Sequence, residues 1–158
     1  MASEWYTLVS QKLFLCETLL KKRAEQPAGP EAEAVLQGSI ELGLRAQHSL
    51  LTLIARYYQE KSAEPDSLAT LRDLIGEEAP EARRLAELER TPGSWWHHLD
   101  QLGYGQSHPP KKKKTVSDEN IIAIGVEAGP DRSTSALLHT LAAMKEFLED
   151  LAEWHDEW

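Results

Sequence analysis

Residues 31–61 read EAEAVLQGSIELGLRAQHSLLTLIARYYQEK, and core-type positions recur along them at steps of three and four. This spacing is the period of an α-helix. A helix of this length would extend roughly 45 Å, enough to span a small domain, so other segments should pack along it. The recurring positions, most of them apolar, are Leu36, Ile40, Leu44, Gln47, Leu51, Ile54 and Tyr58.

Breakers on both sides of this helix divide the rest of the chain. Residues 27–30, Pro-Ala-Gly-Pro, cannot continue a helix and are short, so a first helix before them should form an antiparallel hairpin with the long one. After the long helix, Ser67 or Asp66 can cap a short helix, and Pro80 suits the start of another. Thr91, with the proline after it, can open a third. These pieces predict one broken helix.

A last helix should begin near Ser133. Before it, residues 103–119 hold glycine, proline, serine and the basic run Lys111–Lys114, with almost nothing apolar, which predicts a mobile loop. Residues 121–126, Ile-Ile-Ala-Ile-Gly-Val, predict an extended segment without an evident partner strand. The sequence therefore predicts an all-α fold: a four-helix bundle with a broken third helix, a mobile basic loop and a short extended segment, in a single domain over residues 1–158.

The composition restricts the class of function. The chain carries 26 acidic and 17 basic side chains, for a net charge of −9. This balance disfavours general affinity for nucleic acid or anionic lipid. No stretch approaches the ~20 apolar residues that a membrane span requires, and the amino terminus lacks a signal pattern. The single cysteine, Cys16, lies on an apolar stripe, where a buried, unreactive thiol is expected. We expect a cytoplasmic protein that does not interact with membranes.

Two polar residues interrupt the apolar stripes of the first two helices. Lys12 and Gln47 lie at nearly the same height when positions are counted outward from the turn at residues 27–30. They are predicted to form a polar layer inside the bundle. Because a buried ammonium without a partner is costly, a carboxylate, carbonyl or ligand should lie close to them.

Tryptophan is abundant, with five in the chain. Trp95, Trp96, Trp154 and Trp158 cannot all face one interior, and aromatic area beyond the core is typical of a contact surface. The last helix also carries an acidic side. The alternative is that these rings close the two ends of the bundle.

Arginine precedes histidine by seven positions twice, at Arg90 with His97 and at Arg132 with His139. The second pair resembles the arginine–histidine motif that opens the last helix of HEPN ribonucleases. That resemblance implies that Arg132 stabilises a phosphorane and His139 transfers a proton. Ser133 stands where that family usually has asparagine, and carboxylates surround His139 in the sequence.

The sequence carries no recognisable metal or cofactor motif. No Glu-x-x-His pair of the carboxylate-bridged type occurs, and no phosphate-cradling glycine loop or nucleophile elbow is present in the sequence. We expect neither a metal nor a cofactor. The lysine run, without interleaved aromatics, is expected to be a solvated loop rather than a nucleic-acid contact.

Four short stretches carry a likeness to a family: Gln11-Lys12, residues 48–58, residues 120–123 and the final Glu157-Trp158. Together they resemble a family of short, uncharacterised helical proteins from gammaproteobacteria. The resemblance implies a bacterial, cytoplasmic setting and no mechanism.

These observations favour a non-enzymatic interaction protein that binds a protein partner or a second copy of the chain through an aromatic and acidic surface. The alternatives are a HEPN-like ribonuclease that uses Arg132 and His139, and a helical bundle that binds a small molecule beside Lys12 and Gln47.

Overall fold

The computed structural model describes residues 2–110, 112–116, 122–126 and 129–156. In these residues the class is all-α, as predicted: six helices, accompanied by one two-stranded hairpin. The elements in chain order are α1 (Ala2–Ala24), α2 (Pro30–Tyr57), α3 (Leu68–Ile75), α4 (Pro80–Arg90), α5 (Trp95–Ser107), β1 (Lys112–Val116), β2 (Ile122–Val126) and α6 (Thr134–Asp156).

Helix α2 is the longest helix and contributes most to the core. Pro30 begins it, because the first position of a helix needs no backbone donor. The helix ends at Tyr57, earlier than the predicted limit of Lys61. The reason is local: Gln59 has a φ of 66°, a left-handed conformation that a helix does not continue. Of the predicted stripe, Leu36, Ile40, Gln47, Leu51 and Ile54 are buried, whereas Leu44 and Tyr58 are half-buried.

Helices α1 and α5 pack against α2 in antiparallel directions. The Cys16 thiol of α1 donates to the backbone oxygen of Ser39 at 3.0 Å. On the α5 side, a Cβ built at Gly103 would lie 3.2 Å from Leu44 Cδ2, so only glycine gives α5 this close approach without displacement. Gln106 of α5 also donates to Glu41 at 3.1 Å. The contact between Cys16 of α1 and Ser39 of α2 agrees with the predicted antiparallel hairpin of these two helices.

Three short helices, α3 to α5, occupy the region predicted as a broken helix. Ser67 caps α3 by accepting from the Thr70 backbone N–H, and Gly76 ends it at a φ of 93° that favours glycine. Helix α5 begins later than predicted. Its cap is Ser94, which accepts from the His97 N–H at 3.2 Å, and Thr91 instead ends α4.

Helix α6 closes the core against α5 and α1. His98 of α5 is 2.6 Å from Thr140 Oγ1, and the Trp95 and Phe147 rings have centroids 5.4 Å apart. At the other end of α6, Arg23 of α1 donates to Thr134 Oγ1 at 2.9 Å. Side chains of α6 that complete the core include Leu137, Leu141, Met144, Leu148 and Leu151. No helix in the described ranges is long and apolar enough to cross a membrane.

The region predicted as loop and extended segment differs from expectation. Residues 103–107 belong to α5, so the loop predicted over 103–119 cannot begin at 103. The extended segment is confirmed as β2, but it has a partner: Lys114 of β1 pairs with Ile124 in an antiparallel register. No partner strand was predicted because a lysine run has low strand propensity, which the pairing with β2 overrides. Lys111 and residues 117–121 lie outside the described residues.

Candidate functional site

One cavity combines a polar lining with a buried aromatic side chain. It lies where α2, α4 and α5 meet the start of α3, and its volume is about 300 Å³. This size is at the lower end for sites that bind small ligands. The lining residues are Leu44, Gln47, His48, Leu51, Asp66, Ser67, Leu68, Glu89, Trp96 and Asp100, and we call this cavity the Asp100 pocket.

Gln47 and Asp100 join the two helices that form opposite sides of the pocket. Gln47 is buried on α2, and its side-chain amide donates to Asp100 Oδ1 at 3.1 Å. Because an amide that donates here is held in one orientation, the bond fixes both side chains at the pocket lining. Asp100 itself is exposed. The carboxylate therefore has one fixed partner and an open side.

The electrostatic environment of Asp100 opposes its charge. Partial burial removes water from the Asp100 carboxyl and raises its pKa above the ordinary value. The negative charge of Glu89 raises this pKa further. The hydrogen bond from Gln47, the charge of His97 and the indole N–H of Trp96 all lower this pKa but only partly offset the rise. The pocket thus holds two carboxylates that repel each other.

Trp96 contributes a buried hydrogen-bond donor. The residue is 4% exposed, and its ring packs edge to face against Trp95 with centroids 5.5 Å apart. Its indole N–H lies close enough to the Asp100 carboxyl to lower the pKa of that carboxyl.

Lys12 and Gln47, the predicted polar layer, form no direct hydrogen bond with each other in the described residues. Gln47 is buried as expected, but its side-chain amide donates to Asp100 of α5. No residue of α1 lines the Asp100 pocket. Lys12 is partly buried on α1, and among the described residues no hydrogen bond or ion pair connects it to Gln47. The carboxylate that Gln47 contacts, Asp100, lies on α5, whereas the predicted layer joined α1 and α2.

The tryptophans predicted as a contact surface separate into two groups. Trp95 is 6% exposed and Trp96 is 4% exposed, so they belong to the core, and the prediction that they supply exposed contact area is wrong. They are buried because α5 passes between α2 and α6, where both sides of the helix are covered. Trp154 is 48% exposed on α6, beside the exposed Asp150 and Glu153. Trp158 lies outside the described residues.

Arg132 and His139 form no hydrogen bond with each other in the described residues. Arg132 precedes α6 and contacts Glu33 of α2 at 2.5 Å, which holds the pKa of the Glu33 carboxyl below its ordinary value. His139 is exposed on α6. The guanidinium that would stabilise a phosphorane is thus already occupied by a carboxylate.

A second cluster with a buried carboxylate was also missed by sequence reasoning. Glu81, 3% exposed at the start of α4, accepts from the Tyr58 hydroxyl through Oε2. Its Oε1 lies 2.7 Å from His155 Nε2, and the His155 ring stacks on Tyr57 with centroids 4.3 Å apart. Burial and the bond to Glu81 raise the pKa of Tyr58. We call these four residues the Glu81 cluster.

One weak signal in the sequence could have indicated the Asp100 pocket. Trp96 and Asp100 are separated by four positions, so they share a face of any helix that contains both. An aspartate one turn after a core tryptophan lies beside the buried face of the helix, where a polar partner on the neighbouring helix is expected. The contributions of Glu89 and Asp66 depend on how α3 and α4 fold back, which periodicity does not specify.

Other chemically reactive groups are inaccessible or not clustered. Cys16 is buried as predicted, and burial raises the pKa of its thiol to about 12, which makes it a poor nucleophile. Within the part of the chain that the structure describes, no three His, Cys, Asp or Glu side chains are arranged to hold a metal ion.

The fold and the pocket define the class as an all-α helical protein with a small cavity that is lined by acidic, apolar and aromatic side chains. The chain belongs to a family described as a family of unknown function, DUF6586, which matches residues 1–158. This confirms the resemblance to an uncharacterised family. Neither the curated proteins nor the solved structures give a match to this chain.

Proposed function

We propose that this protein is a non-enzymatic binding protein whose ligand occupies the Asp100 pocket. The observation that carries the proposal is the cavity of about 300 Å³ between α2 and α5, in which the Gln47 amide holds the Asp100 carboxylate in one orientation beside the buried Trp96. Ligand sites are typically concave and mostly apolar, with a few polar groups held in fixed positions.

The architecture supports binding rather than catalysis at this place. A catalytic site needs a nucleophile or a general base aligned with a second group. The lining includes carboxylates and His48, but among the described residues no hydrogen bond aligns His48 with a carboxylate or a hydroxyl. The amide, the indole and the leucines Leu44, Leu51 and Leu68 are groups that recognise a ligand. We further propose that α1, α2, α5 and α6 form a four-helix bundle within one domain, and that the protein acts in a bacterial, gammaproteobacterial cytoplasm without a cofactor.

The experiment is an NMR screen on the ¹⁵N-labelled protein with cationic, neutral and anionic small molecules. The reporters are the Trp96 indole N–H, assigned with Trp96→Phe, and the Gln47 side-chain amide. We expect saturable shifts of both for one charge class. Trp154 provides the control reporter, because it is exposed on α6 and does not line the pocket. If no class moves the two reporters at millimolar concentration, or if Trp154 moves equally, the proposal fails.

A second candidate is association through the surface around Trp154. Its support is the 48% exposure of a large aromatic side chain next to Asp150 and Glu153. A protein partner or a second copy of the chain could cover it, and aromatic residues are enriched at such contacts. Sedimentation of the wild type beside Trp154→Ala tests the homodimer. A monomer at all concentrations would remove the second copy as the occupant.

A further inference from the structure

We infer that two copies of this chain associate through the outward face of α1, with the two helices antiparallel. Six exposed positions on this helix follow one another at alternating steps of three and four residues, so they share one side of it. This side lies outside the Asp100 pocket, and the association is therefore independent of the proposed ligand. We call the six positions the outer stripe: Glu4, Thr7, Gln11, Phe14, Thr18 and Lys21.

Phe14 is the apolar centre of the outer stripe. Its side chain is 66% exposed, more than any other large hydrophobic side chain in the described part of the chain. Leu15, beside it, is 39% exposed. Both lie away from Val9, Leu13 and Cys16, through which α1 packs into the core. A surface aromatic ring of this exposure is the kind of side chain that protein interfaces bury as an anchor.

The polar members of the outer stripe can be covered at low cost. Thr7 donates its hydroxyl to the Ser3 backbone oxygen at 2.9 Å, and Thr18 donates to the Phe14 backbone oxygen at 2.8 Å. Because both hydroxyls already have acceptors within α1, covering them leaves no hydroxyl donor unsatisfied. From Thr7 to Thr18 the stripe carries no charge, whereas 27% of the residues in the chain are charged. Depletion of charge around an aromatic side chain is typical of the centre of an interface.

The order of charges along the outer stripe identifies the occupant as a second copy of the chain. Helix α1 has the acidic residue Glu4 in its first turn and the basic residue Lys21 in its last. A second α1 can lie antiparallel to the first about a twofold axis at the middle of the stripe. Three pairs of stripe positions share this midpoint: Glu4 with Lys21, Thr7 with Thr18, and Gln11 with Phe14.

The antiparallel arrangement matches both the charged ends and the centre of the stripe. Glu4 of each copy faces Lys21 of the other, and each Phe14 packs beside Gln11 of the other copy. A parallel pair would instead bring like charges together. Lys21 also lies 3.0 Å from Glu17 of its own helix, but both side chains are well exposed. Since an ammonium has three donors, this pair leaves others for the second copy.

The surface around Trp154 suits a second copy less well. Its exposed neighbours Asp150 and Glu153 would meet the same carboxylates of the other copy, on a chain of net charge −9. The outer stripe avoids this repulsion because its two charges are of opposite sign and lie at opposite ends. One aromatic ring per copy gives a small interface, so we expect a weak dimer that forms as the protein concentration rises.

Sedimentation equilibrium of the full chain tests the association. From micromolar to near-millimolar protein, the average mass should rise from that of one chain towards that of two. Phe14→Ala should weaken the association by about tenfold or more, because each dimer loses both of its aromatic anchors. The matched control is Trp154→Ala, which removes the exposed ring of α6 and should leave the dimer intact. Alanine is the stronger helix former at both positions, so both variants should fold.

Two outcomes of this measurement would overturn the inference. One is a wild type that stays monomeric at every concentration. The other is an effect of Trp154→Ala as large as that of Phe14→Ala, which would assign the contact to the surface of α6.

A charge reversal tests the ends of the outer stripe. Lys21→Glu should weaken the dimer by about fivefold, the effect of losing two exposed ion pairs. Lys145→Glu is the matched control, because it reverses the same charge at an exposed position of α6. Equal weakening by both variants would mean that the association responds to net charge and not to the stripe, which contradicts the inferred contact.

A short bismaleimide tests the antiparallel direction. Thr7 of one copy should lie beside Thr18 of the other, whereas the two copies of Thr7 are roughly 16 Å apart along the helix axis. A mixture of the Thr7→Cys and Thr18→Cys proteins should therefore cross-link, and neither protein should cross-link alone. The native Cys16 is buried and should not react. Cross-linking of either protein alone, or none in the mixture, would overturn the antiparallel pairing.

Discussion

Glu81 and Asp100 are two carboxylates of one small fold that differ in burial and in the number of their hydrogen-bond partners. Glu81 is 3% exposed, and both of its oxygens have partners, Tyr58 and His155. Asp100 has one fixed partner, Gln47, and otherwise opens to a cavity. A carboxylate whose hydrogen bonds are all made to side chains of other helices holds those helices together. One that is left incompletely paired costs stability, and that cost is expected where a ligand binds.

The elements that each carboxylate connects support this difference. The Glu81 cluster joins the end of α2, the start of α4 and the end of α6, three segments that are distant in sequence. Asp100 joins only α2 and α5, which already pack through Leu44 and Gly103. We therefore expect the Glu81 cluster to contribute more to the stability of the fold than the bond between Gln47 and Asp100.

The largest effect is expected from Glu81→Ala. The substitution leaves the Tyr58 hydroxyl and the His155 imidazole without their common partner, so we expect a loss of about 2–3 kcal/mol in the free energy of unfolding. Urea denaturation followed by circular dichroism measures it. Glu87→Ala on the same helix is the control, because Glu87 is exposed and its contact with Arg84 is 3.5 Å long. Equal midpoints for the two variants would contradict a structural role for Glu81.

A smaller effect is expected from Tyr58→Phe, which removes one hydroxyl and leaves the ring. The buried Glu81 then loses one of two partners, and the loss should be about 1–2 kcal/mol. Tyr57→Phe is the matched control on the adjacent residue, since Tyr57 contributes ring stacking to His155 and no hydroxyl hydrogen bond to the described residues. If Tyr57→Phe destabilises as much as Tyr58→Phe, the aromatic packing and not the hydrogen bond holds the cluster.

The sequence predicted the helices better than the two carboxylate sites, for a physical reason. Periodicity and breakers locate α2, the turn at residues 27–30, the cap at Ser67 and the start of α6, because these depend on neighbours within a few residues. The end of α2 and the cap of α5 were misplaced by a few residues, since fraying and capping compete over small energy differences.

The sites depend instead on contacts between distant segments. Glu81 meets His155 across 74 positions, and Gln47 meets Asp100 across 53. No local pattern contains such information. Gln47 was found because it interrupts an apolar stripe, which is a local signal. Its partner was not, because Asp100 is adjacent to it only after α5 has folded onto α2. The burial of Trp95 and Trp96 was missed for the same reason.

Asp100→Asn should affect stability in the opposite direction from the Glu81 variants. A carboxyl whose pKa is raised by folding destabilises the native state at a pH above that pKa, and this cost disappears as the pH falls through the raised pKa towards about 4. At neutral pH the variant should therefore be equal to the wild type or more stable by less than about 1 kcal/mol, since solvent screens a partly exposed group. Thermal melts at neutral and acidic pH measure the difference. A clear loss at neutral pH would place Asp100 with Glu81 as a structural carboxylate.

The smallest effects are expected at Arg132 and His139, which belong to neither carboxylate site. Both members of the Arg132–Glu33 pair are more than 40% exposed, and exposed ion pairs contribute about 0–1 kcal/mol, so Arg132→Ala should change stability by no more than about 0.5 kcal/mol. His139→Ala should change it less. We also expect no cleavage of single-stranded RNA above background, because Arg132 is engaged by Glu33 and carboxylates at Glu146 and Asp150 share α6 with His139.

The assay for this last prediction compares the wild type with His139→Ala and Arg132→Ala at equal concentration on the same RNA. Equal traces of cleavage in all three preparations would indicate a contaminating nuclease and agree with the prediction. Cleavage by the wild type that both variants lose, with their stability unchanged, would show that the Arg132–Glu33 contact opens to admit a phosphodiester. The protein would then be a ribonuclease that resembles the HEPN enzymes, and the Asp100 pocket would no longer be needed to explain its function.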